Sequence, residues 1–80
     1  MNKQPIGPLG PYHDAFAAAH EAKTVAKDES IPLGTRRFQV MDLCTRAIDI
    51  VCEHPSRFRG AEASNIRVWI GEAQEAVGLQ

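Results

Sequence analysis

The sequence predicts an all-α fold, a small up-down-up three-helix bundle that follows an extended N-terminal arm rich in proline and glycine. Three observations support this prediction. Residues 35–54 contain neither glycine nor proline and are long enough for one helix of about 30 Å. Apolar residues before and after this stretch recur at spacings of three and four, which is typical of amphipathic helices. The connections are short and polar, as they are between antiparallel neighbours in a bundle.

Residues 1–11 form the predicted arm. Its prolines recur at every third position, which favours an extended, polyproline-like path. Ile6 and Leu9 are its apolar anchors. The sequence leaves open whether they dock on the core of their own chain or on a second subunit.

Residues 12–80 form the single predicted domain, whose first helix covers about residues 11–28. Pro11 suits the first helical position because its missing N–H group would be unpaired there, and Asp14 suits the positive end of the helix dipole. Alanine dominates the stretch, so its helix propensity is high and its apolar bulk is small. The predicted buried face comprises Tyr12, Phe16, Ala19 and Ala22.

The second helix is predicted for about residues 35–54, with Thr35 as N-cap and an end at His54, since the residue before Pro55 disfavours helical geometry. Its apolar positions span an arc of about 200°, about twice that of an ordinary surface helix. We therefore expect it to be the central helix, with neighbours on two sides. The core residues expected from it include Phe38, Met41, Cys44, Ile48 and Val51.

The third helix is predicted for about residues 61–77, with Gly78 as a C-terminal cap. Its apolar face comprises Ile66, Trp69, Ile70, Ala73, Ala76 and Val77. A helix-turn-helix interpretation with helices 2 and 3 fails because the connection is too long. Glu72 and Glu75 on the third helix would also repel phosphates, so binding to duplex DNA is not expected.

Composition limits the classes of function. A chain of 80 residues makes one small domain that is marginal alone, so we expect a homodimer or a higher oligomer. The net charge of −1 gives no reason for bulk attraction to nucleic acid or to an acidic membrane. No apolar run has the length of a membrane span and no signal-peptide pattern is present, so a cytoplasmic location is expected.

Two cysteines lie on the second helix. Cys44 and Cys52 are about 12 Å apart along a helix, too far for a disulfide. We expect both to be buried, reduced thiols in a reducing compartment.

Motifs for catalysis are absent from the sequence. His13, His20 and His54 have no partners at metal-ligand spacing, and neither a nucleophile motif nor a phosphate-binding glycine loop occurs. The expectation is a protein that is not an enzyme and that needs no metal or cofactor.

Folding the helices up-down-up gathers a set of basic and aromatic residues at one pole of the bundle, where two helix N-termini also point. Arginines, aromatic rings and free N–H groups are suited to an anion or a nucleotide. The alternative is that the arginines are only solvated, or pair with Glu62. This candidate site comprises Tyr12, His13, His54, Arg57, Phe58, Arg59 and Arg67. Arg36 and Arg37, at the other pole, are a secondary candidate site, with pairing to Asp28 and Glu29 as the structural alternative.

The sequence therefore favours a small non-enzymatic α-helical interaction protein that binds another macromolecule, most simply a protein, and self-associates. Compact helical chains of this size are common among accessory or inhibitor proteins of bacteria and bacteriophages. The alternative hypothesis is a binder of a small anionic or nucleotide-like ligand at the arginine and aromatic pole.

Overall fold

The computed structural model describes residues 6–79, which form three α-helices and no strand. The helices are α1 (Pro11–Ala26), α2 (Leu33–Glu53) and α3 (Ala61–Ala76), with a short 3-10 turn at Pro55–Arg57. The predicted all-α three-helix bundle is confirmed, and the helix ends lie within about two residues of the predicted ones, the usual uncertainty of such boundaries.

Contacts between side chains establish the up-down-up order. Lys23 Nζ lies 3.1 Å from Glu72 Oε2. This ion pair joins the later part of α1 to the later part of α3, as expected for parallel helices. Arg46 Nη2, in the second half of α2, lies 3.9 Å from Asp14 Oδ2 at the start of α1. α2 therefore runs opposite to both of its neighbours.

α1 is the central helix, so the prediction that α2 is central is wrong. α1 packs against both other helices, whereas α2 and α3 contact each other much less. The reason lies in its alanines, whose small side chains let helices approach closely on two sides. The alanines buried on α1 are Ala15, Ala18, Ala19, Ala22 and Ala26.

α2 contributes only one stripe of its wide apolar arc to the core. That stripe comprises Val40, Cys44, Ala47 and Ile50, and it meets Phe58, Ile66, Ile70, Ala73 and Val77 from the following segments. The other stripe is exposed: Phe38 by 71%, Met41 by 52% and Ile48 by 44%. The expectation that these three residues lie in the core is wrong, because α3 packs on α1 instead of covering the second side of α2. Cys52 is exposed as well, and only Cys44 is the buried thiol that was expected.

A turn precedes α1 where the extended arm was predicted. Gly10 N–H donates to Gly7 O at 3.1 Å, and Gly10 has a φ of 92°, which glycine adopts without strain. Gly7 N–H then donates to Asp14 Oδ2 at 2.6 Å, which fixes the turn to the first helical turn. Ile6 packs against the core of its own chain. The rest of the predicted arm, residues 1–5, lies outside the described residues.

The start of α2 and the end of α3 lie together at the opposite pole. α2 begins after Pro32 and not at Thr35, because the carbonyl of Pro32 already accepts the Arg36 N–H at 2.9 Å. Gly78 caps the end of α3 as predicted, with a φ of 75°, and Leu79 N donates a hydrogen bond to Gln74 O at 2.8 Å.

Candidate functional site

The aromatic half of the predicted pole exists, but it is part of the packing of the bundle. The rings of Tyr12 and Phe58 have centroids 6.0 Å apart, and Phe16 lies 5.8 Å from Tyr12. Phe58 is 7% exposed and belongs to the core. It therefore closes the end of the bundle, and Tyr12 is the exposed ring of this pair.

The polar residues of the predicted pole do not form one cluster. Arg57 and Arg59 are exposed, and neither guanidinium group forms a hydrogen bond or an ion pair with any residue between 6 and 79, Glu62 included. His54 is half-buried at the end of α2. Arg67 lies elsewhere, in a groove between α2 and α3.

The start of α1 holds a carboxylate of its own chain at the place where an anion was expected. Asp14 accepts the Gly7 N–H, and His13 Nδ1 lies 3.5 Å from Asp14 Oδ1. The Gly7 hydrogen bond, helped by His13 and Arg46, lowers the pKa of Asp14. Because this carboxylate stays ionised beside the helix start, it repels a second anion there.

Arg36 and Arg37, the secondary candidate, bind backbone carbonyls. Arg36 donates from Nε to Ile31 O at 2.9 Å and from Nη1 to Ala26 O at 3.1 Å, and Arg37 Nε donates to Val77 O at 2.7 Å. They therefore join the start of α2 to the C-terminal ends of α1 and α3. Asp28 is one of the acidic partners proposed from the sequence. Hydrogen bonds from Ser30 lower the pKa of Asp28, and the nearby charge of Arg36 adds a smaller effect in the same direction.

The most distinctive surface of the molecule is a line of residues along the exposed side of α2. Phe38, Met41, Thr45, Ile48 and Cys52 recur at alternating spacings of three and four, and all five are exposed. This seven-residue repeat keeps them in one row along a helix, as in the contact line of a coiled coil. We call this row the α2 seam.

Shallow depressions extend the α2 seam at both ends. Phe38, Met41 and Thr45 line one of them together with Asp42. At the other end, Ile48 and Cys52 line the groove between α2 and α3. The remaining walls of this groove are formed by Val51, Ile66, Arg67 and Ile70. Apolar surface therefore lies at both ends of the row, on either side of Thr45.

The two edges of the α2 seam carry opposite charge. On the side of α1, Asp42 and Glu21 line a common groove, and Asp49 lies on the same side of α2, two turns after Asp42. On the side of α3 lie Arg37, bound to Val77 O, and Arg67. We call the first set the acidic margin and the second set the basic margin.

The α2 seam was not among the sites predicted from the sequence, although its signal is present. The predicted apolar arc includes Met41 and Ile48 together with the buried residues, whereas the seven-residue spacing of positions 38, 41, 45, 48 and 52 separates the α2 seam from the buried row. What the sequence could not supply is the position of α3, which decides whether the second row is covered.

Other classes of site have little support in the described part of the chain. No group of three or more histidine, cysteine, aspartate or glutamate side chains between residues 6 and 79 could hold a metal ion. Over the same residues, no helix has the length and apolar character needed to cross a membrane. Comparison of the chain with family models, curated proteins and solved structures gave no match.

Proposed function

We propose that this chain is a small non-enzymatic interaction protein that binds a protein partner through the α2 seam and self-associates. The observation that carries the proposal is the alignment of Phe38, Met41 and Ile48, three large apolar side chains exposed in one row on one helix. Single apolar residues scattered over a surface need no explanation, whereas a continuous row rimmed by charged residues is typical of interaction sites.

The mode of recognition follows from the shape of this surface. A helix that presents apolar side chains at spacings of three and four is recognised by a groove or by another helix laid along it. Apolar burial then supplies the affinity, and the charged margins favour one orientation of the partner over another. Such a protein needs no reactive group.

A photocrosslinking experiment in the organism that encodes the chain tests the proposal. A photoreactive phenylalanine analogue replaces Phe38 in one variant and Val68 in a control. Val68 is also a large exposed apolar residue, but it lies on α3 away from the α2 seam. Covalent protein adducts should form from position 38 and not from position 68. Equal yields, or none at position 38, would overturn the proposal.

The alternative function is capture of a small anionic ligand at the end of the bundle. It is supported by Arg57 and Arg59, two exposed cations without partners among residues 6–79, which follow each other closely in the chain around Phe58. A phosphate compound at a hundred times its dissociation constant stabilises the folded state by about 2.7 kcal/mol and raises the melting midpoint. A midpoint that stays the same with nucleotides, inorganic phosphate and polyphosphate would exclude this alternative.

A further inference from the structure

We infer that the partner on the α2 seam is the α2 seam of a second copy of this chain, packed parallel to it around a two-fold axis that runs along the two helices. The inference rests on the proposed function, because it names the partner of the same surface. From Phe38 to Cys52 the row is about 21 Å long at 1.5 Å per residue, two full seven-residue repeats of coiled-coil contact. The five residues of the row are in place for knobs-into-holes packing without rearrangement of the core.

The distribution of charge selects the second copy as partner and the parallel orientation. A two-fold axis along the helices places the edge nearest α1 in one copy beside the edge nearest α3 in the other. The acidic margin of each copy then faces the basic margin of its partner, and this happens on both sides of the contact. In coiled-coil terms, Arg37 lies just before the seam residue Phe38 and Asp42 just after Met41, so Arg37 of one copy reaches Asp42 of the other.

The antiparallel orientation brings like charges together. A two-fold axis perpendicular to the helices places the α1 edge of one copy beside the α1 edge of the other. With the two rows fully overlapped about Thr45, Asp42 of one copy would then lie beside Asp49 of the other, with Glu21 of both copies on the same side. Like charges at such positions oppose pairing, so the same margins that favour the parallel arrangement disfavour this one.

The size of the surface indicates a dimer of moderate affinity. Stable specific interfaces bury about 800 Å² on each partner. A contact about 21 Å long on one helix is short for such an interface, and the groove that holds Arg67 extends it at one end only. The dimer is therefore expected to form as concentration rises and to separate on dilution.

The parallel arrangement has a consequence that can be measured at Cys52. Equivalent residues face each other in a parallel pair, so Cys52 of one copy lies against Cys52 of the other. In the antiparallel pair the two thiols would lie at opposite ends of the contact, about 20 Å apart. Cys44 is buried and burial raises the pKa of its thiol, so it does not compete for a thiol reagent.

The experiment treats the purified full chain with bis-maleimidoethane, a short reagent that joins two thiols. Cys52 should give a covalent dimer, and C52S should abolish it. The matched control carries C52S and V68C, which moves the exposed thiol to another face. Effective concentration within the dimer should make crosslinking of Cys52 faster than that of the control by roughly a hundredfold. F38S should reduce the Cys52 rate to that of the control, and light scattering on the same samples reports the mass.

Each result decides a separate point. A dimer by light scattering whose Cys52 thiols crosslink no faster than the control overturns the parallel pairing. A monomer up to millimolar concentration overturns the second copy as partner and the proposed self-association, and photocrosslinks from position 38 to another protein would still uphold the binding of a protein partner through the α2 seam. Absence of both kinds of adduct overturns the proposed function itself.

Discussion

Asp14 shows how one side chain secures the junction between the N-terminal turn and the bundle. Its carboxylate accepts the Gly7 N–H at 2.6 Å and lies 3.9 Å from Arg46 Nη2 of α2. The hydrogen bond from Gly7, more than the neighbouring cations, lowers the pKa of Asp14. A carboxyl group whose pKa is lower in the folded state stabilises the fold when it is ionised.

We predict that D14N lowers the melting midpoint at neutral pH and weakens the loss of stability in acid. The contribution of Asp14 is complete above its unfolded pKa of about 4 and disappears as the pH falls through its lower folded pKa. The difference between wild type and D14N should therefore shrink below about pH 4. Thermal melts across this range provide the measurement, with E29Q, an exposed carboxylate, as control. A difference that is constant with pH would contradict the assignment.

We expect Arg36 to stabilise the fold by binding backbone carbonyls, a role that its position in the sequence does not reveal. Its guanidinium binds the carbonyls of Ile31 and Ala26, which closes the end of α1 with a cation at the negative end of that helix. We predict that R36A costs about 1 to 3 kcal/mol of unfolding free energy. R36K should restore little, because an ammonium group lacks the fork that reaches both carbonyls. Urea unfolding measures the cost, and R59A, at an exposed site, should stay within about 0.5 kcal/mol of wild type.

At the scale of the helices, the sequence predicted existence, length and direction well and predicted contacts less well. The spacing of apolar residues and the positions of Pro11, Pro55 and Gly78 located the helices, because these are local signals. Which helix is central depends on how closely two helices approach, and the alanines of α1 decide this through their small size. The width of the apolar arc favours α2 instead, because it does not take into account how closely the small alanines of α1 let two helices approach.

The two apolar rows of α2 should differ sharply in their contribution to stability. Ile50 is fully buried in the core, whereas Ile48 is 44% exposed on the α2 seam. We predict that I50A costs about 2 to 5 kcal/mol, as large-to-small changes in a core do. I48A in the dilute monomer should cost clearly less than I50A, because much of its side chain already contacts water. Urea unfolding at low protein concentration compares them, and equal costs would mean that α2 is covered on both sides.

The alanine face of α1 should be intolerant of larger side chains. Ala19 is fully buried between the helices, while Ala17 is exposed on the same helix. We predict that A19L costs about 1 to 3 kcal/mol through overpacking, although leucine is also a good helix former. A17L is the matched control with the same change in helix propensity. Similar melting midpoints for the two variants would contradict close packing at α1.

For the whole molecule, the sequence located a pole that the fold only partly builds. Tyr12 and Phe58 do meet, since the helix directions alone bring them to one end. Arg67 is directed to the α2–α3 groove, because helix phase and not position along the bundle sets where it lies. The α2 seam is exposed because neither α1 nor α3 covers that side of α2. This can be known only once the packing of all three helices is known.

The association of the whole molecule should be visible as a dependence of stability on concentration. If α2 seams pair, folding and dimerisation are linked, so the melting midpoint rises with protein concentration. F38S removes an apolar side chain that is 71% exposed in the monomer, so it should leave the midpoint at the lowest concentration almost unchanged. At high concentration, F38S should melt below wild type, because it lacks the stabilisation that pairing adds. I50A serves as the contrasting variant, since its loss lies within the core and should lower the midpoint at every concentration. A wild-type melting midpoint that is independent of protein concentration up to the millimolar range would show that the α2 seams of two copies do not pair.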